Sequence, residues 1–340
     1  MESANHFPSR RDFLRHTGLL AGGLFLETAR LSAEHLLGNN TSTEGLSQRI
    51  LGKTRSPVST LCLDTTPSGL STAISSRQIA EIINQALDQG INFIDTARTA
   101  GNAEDGIALA LDNRRHKVFL STKVWANTPA DADLSLDASL RSLKTDYVDL
   151  LYFHNLGTRN FDEATGPDGV FTWLLKQKQS GKTRFVGISG NNLSERFPPF
   201  IQTNQIDVIM MVLNFVDRHI YAFEEKILPL ARRHNLGVVA MKVFGGARGG
   251  IGGYNRQNML PQMPEEYLEL AIRYVLDLPG VTSANIGFLN AEQVRKNIVL
   301  AGNYKPLTLD EQKLLETAGR NLAAKWRPHF SPILQPASTV

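Results

Sequence analysis

The chain has 340 residues and a formal net charge of +3, from 36 lysine and arginine residues against 33 aspartate and glutamate residues. The two signs of charge are interspersed, which argues against a basic surface for nucleic acid and against a long acidic arm. Cys62 is the single cysteine, so no internal disulfide and no cysteine-based metal site can form, and no metal site is predicted. The length suits one large α/β domain or two ordinary ones.

Residues 1–40 predict an export signal and linker rather than a domain. The sequence SRRDFLR is followed by HTGLLAGGLFL, an apolar stretch too short to span a bilayer as a helix. The pair Arg10 and Arg11, followed by Phe13 and Leu14, resembles the twin-arginine export signal. We therefore expect the twin-arginine export machinery as a partner and a periplasmic location. An amphipathic helix with a chance arginine pair is the alternative, and the lack of a clean A-x-A cleavage pattern leaves an uncleaved membrane tether open.

From about residue 49, strand-like and helix-like segments alternate. Eight short apolar runs predict strands, namely VSTLCL (58–63), NFID (92–95), KVFLSTK (117–123), YVDLLYFH (147–154), RFVGIS (184–189), DVIMMVL (207–213), GVVAMKV (237–243) and TSANIGF (282–288). Between them, segments such as SRQIAEIINQALDQG and PEEYLELAIRYVLDL repeat apolar residues every three or four positions, which predicts helices. Several of these helices are expected to end at glycine, as at Gly90, Gly181 and Gly237.

Eight strands, each followed by a helical segment, predict an α/β fold of the (β/α)₈ TIM-barrel type over residues 49–325, with a C-terminal tail at 326–340. No G-x-G-x-x-G sequence follows the first strand, which argues against a Rossmann domain. In such barrels the chemistry lies at the carboxyl ends of the strands. Those ends carry Asp95, Lys123 with Trp125, His154 with Asn155, Ser189 with Asn191, Asn214, Lys242 and Gly287.

Three ionisable residues, Asp95, Lys123 and His154, lie at the carboxyl ends of three successive predicted strands. Taken singly, Asp95 could cap a turn, Lys123 could be a solvated rim residue, and His154 could be a satisfied buried imidazole. Their shared position at one end of the barrel instead predicts a cluster, in which a lysine–aspartate pair fixes both groups and perturbs a nearby acid.

A set of sequence stretches over residues 49–320 resembles the aldo-keto reductase family. The stretches are GINFIDTA with GNAE, VFLSTKVW, SLKTDYVDLLYFHN, GKTRFVGIS, IDVIMMVLNFVDR and RYVLDLPGVTSANIGFLNAEQVRKN. The resemblance implies a reversible hydride transfer between a nicotinamide nucleotide, usually NADP(H) with NAD(H) as the alternative, and a carbonyl or alcohol. It also implies that Lys123 lowers the pKa of a proton-donating tyrosine, that Asp95 pairs with Lys123, and that His154 orients the substrate oxygen.

Ala100 stands where the family has that tyrosine. General acid catalysis is typically worth about 10² to 10⁴ in rate, so the replacement is expected to impair reduction more than binding. Lys123 or protonated His154 could donate the proton, a water could fill the space left by the ring, or another tyrosine could enter. Tyr254, on the loop GGARGGIGGYNRQN, is the candidate for the last role, although it could be a plain surface residue. We expect Ala100, Trp125 and Tyr254 to line the substrate pocket.

On the nicotinamide side, fewer residues match the cofactor contacts that the family resemblance implies. Ser189 matches the serine that contacts the nicotinamide carboxamide, the following asparagine is displaced to Asn191, and Met210 lies where many members have a glutamine.

On the phosphate side, the segment VFGGARGG, with Lys242 just before it and Phe244, Gly245 and Gly246 within it, predicts a backbone wrap around a pyrophosphate. A glycine loop without function is the alternative. Gly287, Gln293 and Asn297 fall in the segment that binds the adenosine phosphate, but the lysine that often binds the 2′-phosphate is missing, which weakens a preference for NADP over NAD.

Together these features predict an exported oxidoreductase of altered mechanism that acts on a small carbonyl or polyol, and whose cofactor is loaded before export. A catalytically weak or inactive nucleotide- or carbohydrate-binding barrel is the main alternative, and a lyase or isomerase using Lys123 and His154 is a third. The sequence indicates neither the substrate nor the oligomeric state.

Overall fold

A computed structural model describes residues 46–67, 73–246 and 261–330. Within them, eight parallel strands close into a barrel in the order β10-β3-β4-β5-β6-β7-β8-β9. The barrel strands are β3 Leu61–Asp64, β4 Phe93–Asp95, β5 Phe119–Val124, β6 Val148–Phe153, β7 Thr183–Gly190, β8 Val208–Val212, β9 Gly237–Met241 and β10 Val281–Gly287. The predicted (β/α)₈ barrel is confirmed, and each predicted strand segment overlaps an observed strand.

One predicted strand is divided in two. The run 58–63 contains the end of β2 Pro57–Ser59, which pairs antiparallel with β1 Gln48–Ile50, and then the start of β3. Between β2 and β3, the Thr60 amide donates to the Ser47 carbonyl at 2.9 Å. The apolar pattern is the same on both sides of Thr60, so it could not reveal that the chain changes partners there.

Helices surround the barrel, and the described ones are α1 Ser76–Asp88, α2 Ala103–Leu111, α3 Pro129–Leu143, α4 Phe161–Thr165, α5 Val170–Gln179, α6 Phe197–Gln202, α7 Arg218–Tyr221, α8 Leu228–Arg233, α9 Leu268–Asp277, α10 Ala291–Gly302 and α11 Leu309–Trp326. A π-helical turn spans Phe223–Ile227, between α7 and α8. None of the helices in the described ranges is both long and apolar enough to cross a membrane.

The helix ends agree with two of the three predicted glycine stops. Gly90 and Gly181 follow α1 and α5 with φ of 95° and 81°, the left-handed conformation that glycine adopts without strain. The prediction for Gly237 is wrong, because Gly237 is the first residue of β9. The left-handed position after α8 belongs to Asn235, with φ of 49°. Asparagine tolerates that conformation through local hydrogen bonding.

The barrel interior is filled by side chains, and Tyr152 of β6 is among the largest. It is completely buried, and its hydroxyl has no hydrogen-bond partner among the described residues. A β-carbon on Gly187, in the neighbouring strand β7, would lie only 2.7 Å from the Tyr152 ring. The ring therefore requires glycine at position 187.

Three predicted features fall wholly or partly outside the described residues. The export segment 1–40, including Arg10 and Arg11, lies outside them, as do Tyr254 and residues 331–340. Helix α11 ends at Trp326, the first residue of the predicted tail.

Candidate active site

The site is built around a buried ion pair at the carboxyl end of the barrel. Asp95 ends β4 and Lys123 lies near the end of the adjacent strand β5, so the topology places the two side chains together. The Lys123 ammonium binds Asp95 Oδ2 and also donates to the Thr96 carbonyl at 2.9 Å. On the other carboxylate oxygen, Ser121 Oγ donates to Asp95 Oδ1 at 2.6 Å. These bonds fix both charges.

Burial and charge act in opposite directions on Lys123. Burial lowers the pKa of its ammonium, but the carboxylates of Asp95 and Asp64 outweigh burial and raise that pKa above its ordinary value. Lys123 therefore stays positively charged at neutral pH.

His154 follows β6 and lies beside the same end of the barrel. Its Nδ1 is 2.8 Å from Ser189 Oγ, and the Trp125 ring meets the imidazole edge-on, with ring centroids 6.1 Å apart. Burial, reinforced by the positive charges of Lys123, Lys242 and Arg159, lowers the pKa of His154 to about 3. His154 is therefore neutral at pH 7, which disfavours a protonated imidazole as the proton donor.

Arg159 belongs to the site although sequence reasoning missed it. It is buried, its Nη1 donates to Asn127 Oδ1 at 2.8 Å, and its Nη2 donates to the His154 carbonyl at 3.1 Å. It thereby ties the segment that follows Trp125 to the backbone of His154. The only sequence signal was an arginine five residues after the histidine, which points to no particular contact.

Ala100 is completely buried in the turn before α2. Its amide donates to the Ala97 carbonyl at 2.9 Å, and its carbonyl accepts from the Ala103 amide at 3.1 Å. This differs from the expectation that Ala100 lines an open substrate pocket, because a methyl group at a buried turn offers no exposed wall. Trp125, by contrast, is partly exposed beside His154.

A cleft of ≈ 240 Å³ opens between the ends of β9 and β10 and the start of α10. Seven of the ten predicted cofactor residues line it: Lys242, Phe244, Gly245, Gly246, Gly287, Gln293 and Asn297. Five further polar lining residues were missed by sequence reasoning: Asp64, Gln262, Glu265, Asn285 and Lys296. Most of the predicted phosphate-side residues are therefore brought together.

The other three predicted cofactor residues are not part of that lining. Ser189 is fully buried against His154. Asn191 is buried, and its Oδ1 has no hydrogen-bond partner within the described ranges. Met210 is completely buried inside the barrel, where its Sδ lies 3.9 Å from Asn285 Nδ2.

The start of α10 is braced locally. Asn290 caps the helix by accepting the Gln293 amide at 2.9 Å, and Gln293 Oε1 accepts the Leu289 amide at 2.6 Å. One turn later, the Lys296 ammonium lies 2.9 Å from Glu265 Oε1, and both side chains are open to solvent. The cleft lining therefore carries two lysines, Lys242 and Lys296, and two carboxylates, Asp64 and Glu265.

The end of the described chain packs against one wall of this cleft. A β-carbon on Gly245, whose φ is 74°, would lie 2.8 Å from the Trp326 ring. Beyond Trp326, the amides of His329 and Phe330 both donate to the Tyr221 hydroxyl at 2.7 Å. The Pro261 carbonyl, which would lie 2.5 Å from that β-carbon, the Trp326 ring and the left-handed φ together explain why position 245 needs glycine.

Comparison with known proteins gives consistent matches. The model of the aldo/keto reductase family matches residues 63–264. The uncharacterized oxidoreductase YqkF of Bacillus subtilis is 30% identical over 297 residues, which cover 73% of this chain and 90% of that protein.

Two solved structures share the fold. The holo form of the aldo-keto reductase AKR11C1 from Bacillus halodurans has a TM-score of 0.66 and 24% identity, and the match covers 84% of this chain and 100% of that one. An aldo-keto reductase from Klebsiella pneumoniae, solved in complex with NADPH, has a TM-score of 0.64 and 21% identity, covering 82% of this chain and 95% of that one.

Proposed function

The chain belongs to the aldo/keto reductase family of oxidoreductases, and from this premise we propose that it transfers hydride reversibly between NADP(H) and a small carbonyl or polyol. The observation that carries the proposal is the buried Lys123–Asp95 pair beside a neutral His154, at the barrel end that also holds the cleft. Because Ala100 replaces the usual tyrosine, the proton must come from elsewhere.

The polar groups of the cleft suit the phosphate side of a nicotinamide dinucleotide. Helix α10 directs the positive end of its dipole toward the cleft, and Lys242 and Lys296 add positive charge for phosphate groups. Asn285 contributes a buried oxygen that lacks a partner among the described residues. NADP(H) bound in the cleft would supply or accept the hydride. NAD(H) is the alternative, because Glu265 beside Lys296 opposes a 2′-phosphate.

His154 and Lys123 would stabilise the reacting oxygen. With Ser189 Oγ engaged at Nδ1, His154 presents Nε2 to a substrate oxygen. As the carbonyl receives hydride, negative charge grows on its oxygen, and the Nε2–H donor and the Lys123 ammonium both favour that charge. Asp95 keeps the ammonium in place. In our proposal, a water polarised by Lys123 and His154 then gives the oxygen its proton and completes the alcohol, and the hydroxide that remains takes up a proton from solvent.

A single purification tests this function. The folded protein is denatured, any released nucleotide is identified by mass spectrometry, and NADPH oxidation is followed with a panel of reactive carbonyls. We expect bound NADP(H) and slow turnover that Lys123→Met abolishes. A bound nucleotide with no turnover in either direction would instead favour the binding-protein alternative. That alternative is supported by Ala100, which is buried and has no side-chain group that could donate a proton.

We further propose that the protein is exported by the twin-arginine route, on the basis of Arg10 and Arg11 followed by Phe13 and Leu14. Replacing Arg10 and Arg11 together by lysine keeps the charge but removes the planar guanidinium groups. Cell fractionation should then find the variant in the cytoplasm and the wild type in the periplasm. Periplasmic delivery of both would rule the export proposal out.

A further inference from the structure

Asn285 lies between the cleft and the ion pair. It occupies the inward face of β10, is buried, and contributes to the cleft lining. From there its Nδ2 reaches past β3 to Asp95 Oδ2 on β4, at 3.1 Å. Since Lys123 binds the same carboxylate oxygen, one atom of Asp95 is shared by the ammonium and the Asn285 amide.

Chemistry fixes the orientation of this amide. An ionised carboxylate only accepts hydrogen bonds, so the amide nitrogen, and not the oxygen, must face Asp95. The Asn285 oxygen is then left buried with no hydrogen-bond partner among the described residues. A buried acceptor is normally satisfied, so this atom calls for a donor from outside the barrel core.

The residue that contacts Asn285 inside the barrel, Met210, has no amide group. Met210 lies against Asn285 with its Sδ 3.9 Å from Nδ2, and a thioether is at most a weak acceptor. Asn285, which contacts both Met210 and Asp95, therefore supplies an amide group that Met210 cannot.

We propose that Asn285 is a positioning residue that couples occupancy of the cleft to the Lys123–Asp95 pair. Asp95 holds the amide through Nδ2, and the amide oxygen receives a hydrogen-bond donor of the bound nicotinamide nucleotide. A ligand in the cleft thereby fixes Asp95, and through it the Lys123 ammonium. This inference rests on the proposed function, because the nucleotide is the ligand it requires.

Ser283 provides a matched control. It lies two residues earlier on the same face of β10 and is also fully buried, but its hydroxyl donates to the Ser59 carbonyl at 2.9 Å and it does not line the cleft. Ser283→Ala therefore removes a buried hydrogen bond of this strand without touching the proposed link.

The experiment measures NADPH affinity by quenching of protein fluorescence, together with a thermal melt, for the wild type, N285L, N285D and S283A. We expect N285L to weaken NADPH binding about tenfold or more, and S283A by less than about twofold. Unchanged binding in N285L, or an equal loss in S283A, would assign Asn285 to barrel packing and overturn the proposal.

N285D decides the matter if N285L does not fold. It keeps the size of the side chain, and when protonated it can still donate to Asp95, whereas its ionised form repels that carboxylate. Its NADPH affinity should approach that of the wild type near about pH 5 and fall toward about pH 8, with a flatter wild-type profile. An affinity for N285D that changes no more with pH than that of the wild type contradicts the coupling.

The two proposals fail differently. If the wild type binds neither NADPH nor NADH, the proposed function fails and this inference fails with it. If the wild type binds NADPH and both Asn285 variants bind it equally well, only this inference is lost.

Discussion

The Lys123–Asp95 and Lys296–Glu265 pairs join the same chemical groups around one barrel mouth, but their burial differs. The side chains of Lys123 and Asp95 are 11% and 0% exposed, against 52% and 68% for Lys296 and Glu265. A buried charge that loses its partner is left without hydration, which costs free energy, whereas an exposed charge that loses its partner is hydrated by water. Burial therefore makes the first pair a fixed charge, whereas in the second pair either partner can be exchanged for water or a ligand.

Removing one lysine from each pair tests this contrast most strongly. Lys123→Met leaves Asp95 buried and unpaired and should lower the free energy of unfolding by about 3 to 5 kcal/mol. Lys296→Met should lower it by no more than about 1 kcal/mol. Urea denaturation of the two variants measures both values. Similar losses would mean that burial is not what separates the pairs.

A tyrosine at position 100, where the family resemblance places the proton donor, should restore a general acid. Ala100→Tyr should raise NADPH-dependent reduction of aromatic aldehydes by about 10² to 10⁴, because the Lys123 ammonium lowers the pKa of a nearby phenol. Since Ala100 is fully buried, the ring also overpacks the turn, at a cost of about 1 to 3 kcal/mol. Steady-state kinetics and a thermal melt measure the two effects.

Ala100→Phe is the control for that variant, because it adds the same bulk without the hydroxyl. An equal rate for the Tyr and Phe variants, in stable protein with bound nucleotide, would show that the site is not a reductase centre lacking only its acid.

Burial, reinforced by the charge of Lys123, also makes His154 a source of acid sensitivity. Its pKa is about 3 in the folded protein, below its ordinary value of 6.5, so the unfolded chain takes up the proton first. The free energy of unfolding should therefore fall as pH drops below about 6.5, by up to about 1.4 kcal/mol per unit, until the folded pKa is reached. His154→Gln should lose this component of the slope in urea denaturation between pH 7 and pH 5. The same slope in both proteins would assign it to other groups.

The exposed Lys296–Glu265 pair should give the smallest effect, which is a change in the preference for NADPH over NADH. Glu265→Gln removes the carboxylate that competes with a 2′-phosphate for Lys296, and should shift the ratio of NADPH to NADH affinity toward NADPH by about fivefold, equivalent to about 1 kcal/mol. Lys296→Met should shift the ratio the other way. Fluorescence titration with both nucleotides checks this, and a ratio that does not move in either variant would place this pair away from the 2′-phosphate.

The sequence predicted the barrel and the ends of its strands well, because strand patterning is local and the carboxyl ends of parallel strands converge by topology. It therefore placed Asp95, Lys123 and His154 at one mouth. It could not find Asn285, whose contact with Asp95 spans 190 residues of sequence. The burial of Ala100 was missed for a related reason, because it depends on how a turn packs.

The Tyr152–Gly187 contact constrains how this barrel could have evolved. The tyrosine ring fills the space that a β-carbon on the next strand would need, so any larger residue at position 187 collides with it. A β-carbon at position 187 would also lie 2.9 Å from the Val208 backbone carbonyl, so the neighbouring strand favours glycine there even without the tyrosine, whereas the tyrosine cannot be accommodated without the glycine. Among relatives, an inward aromatic residue at position 152 should therefore appear only with glycine at position 187.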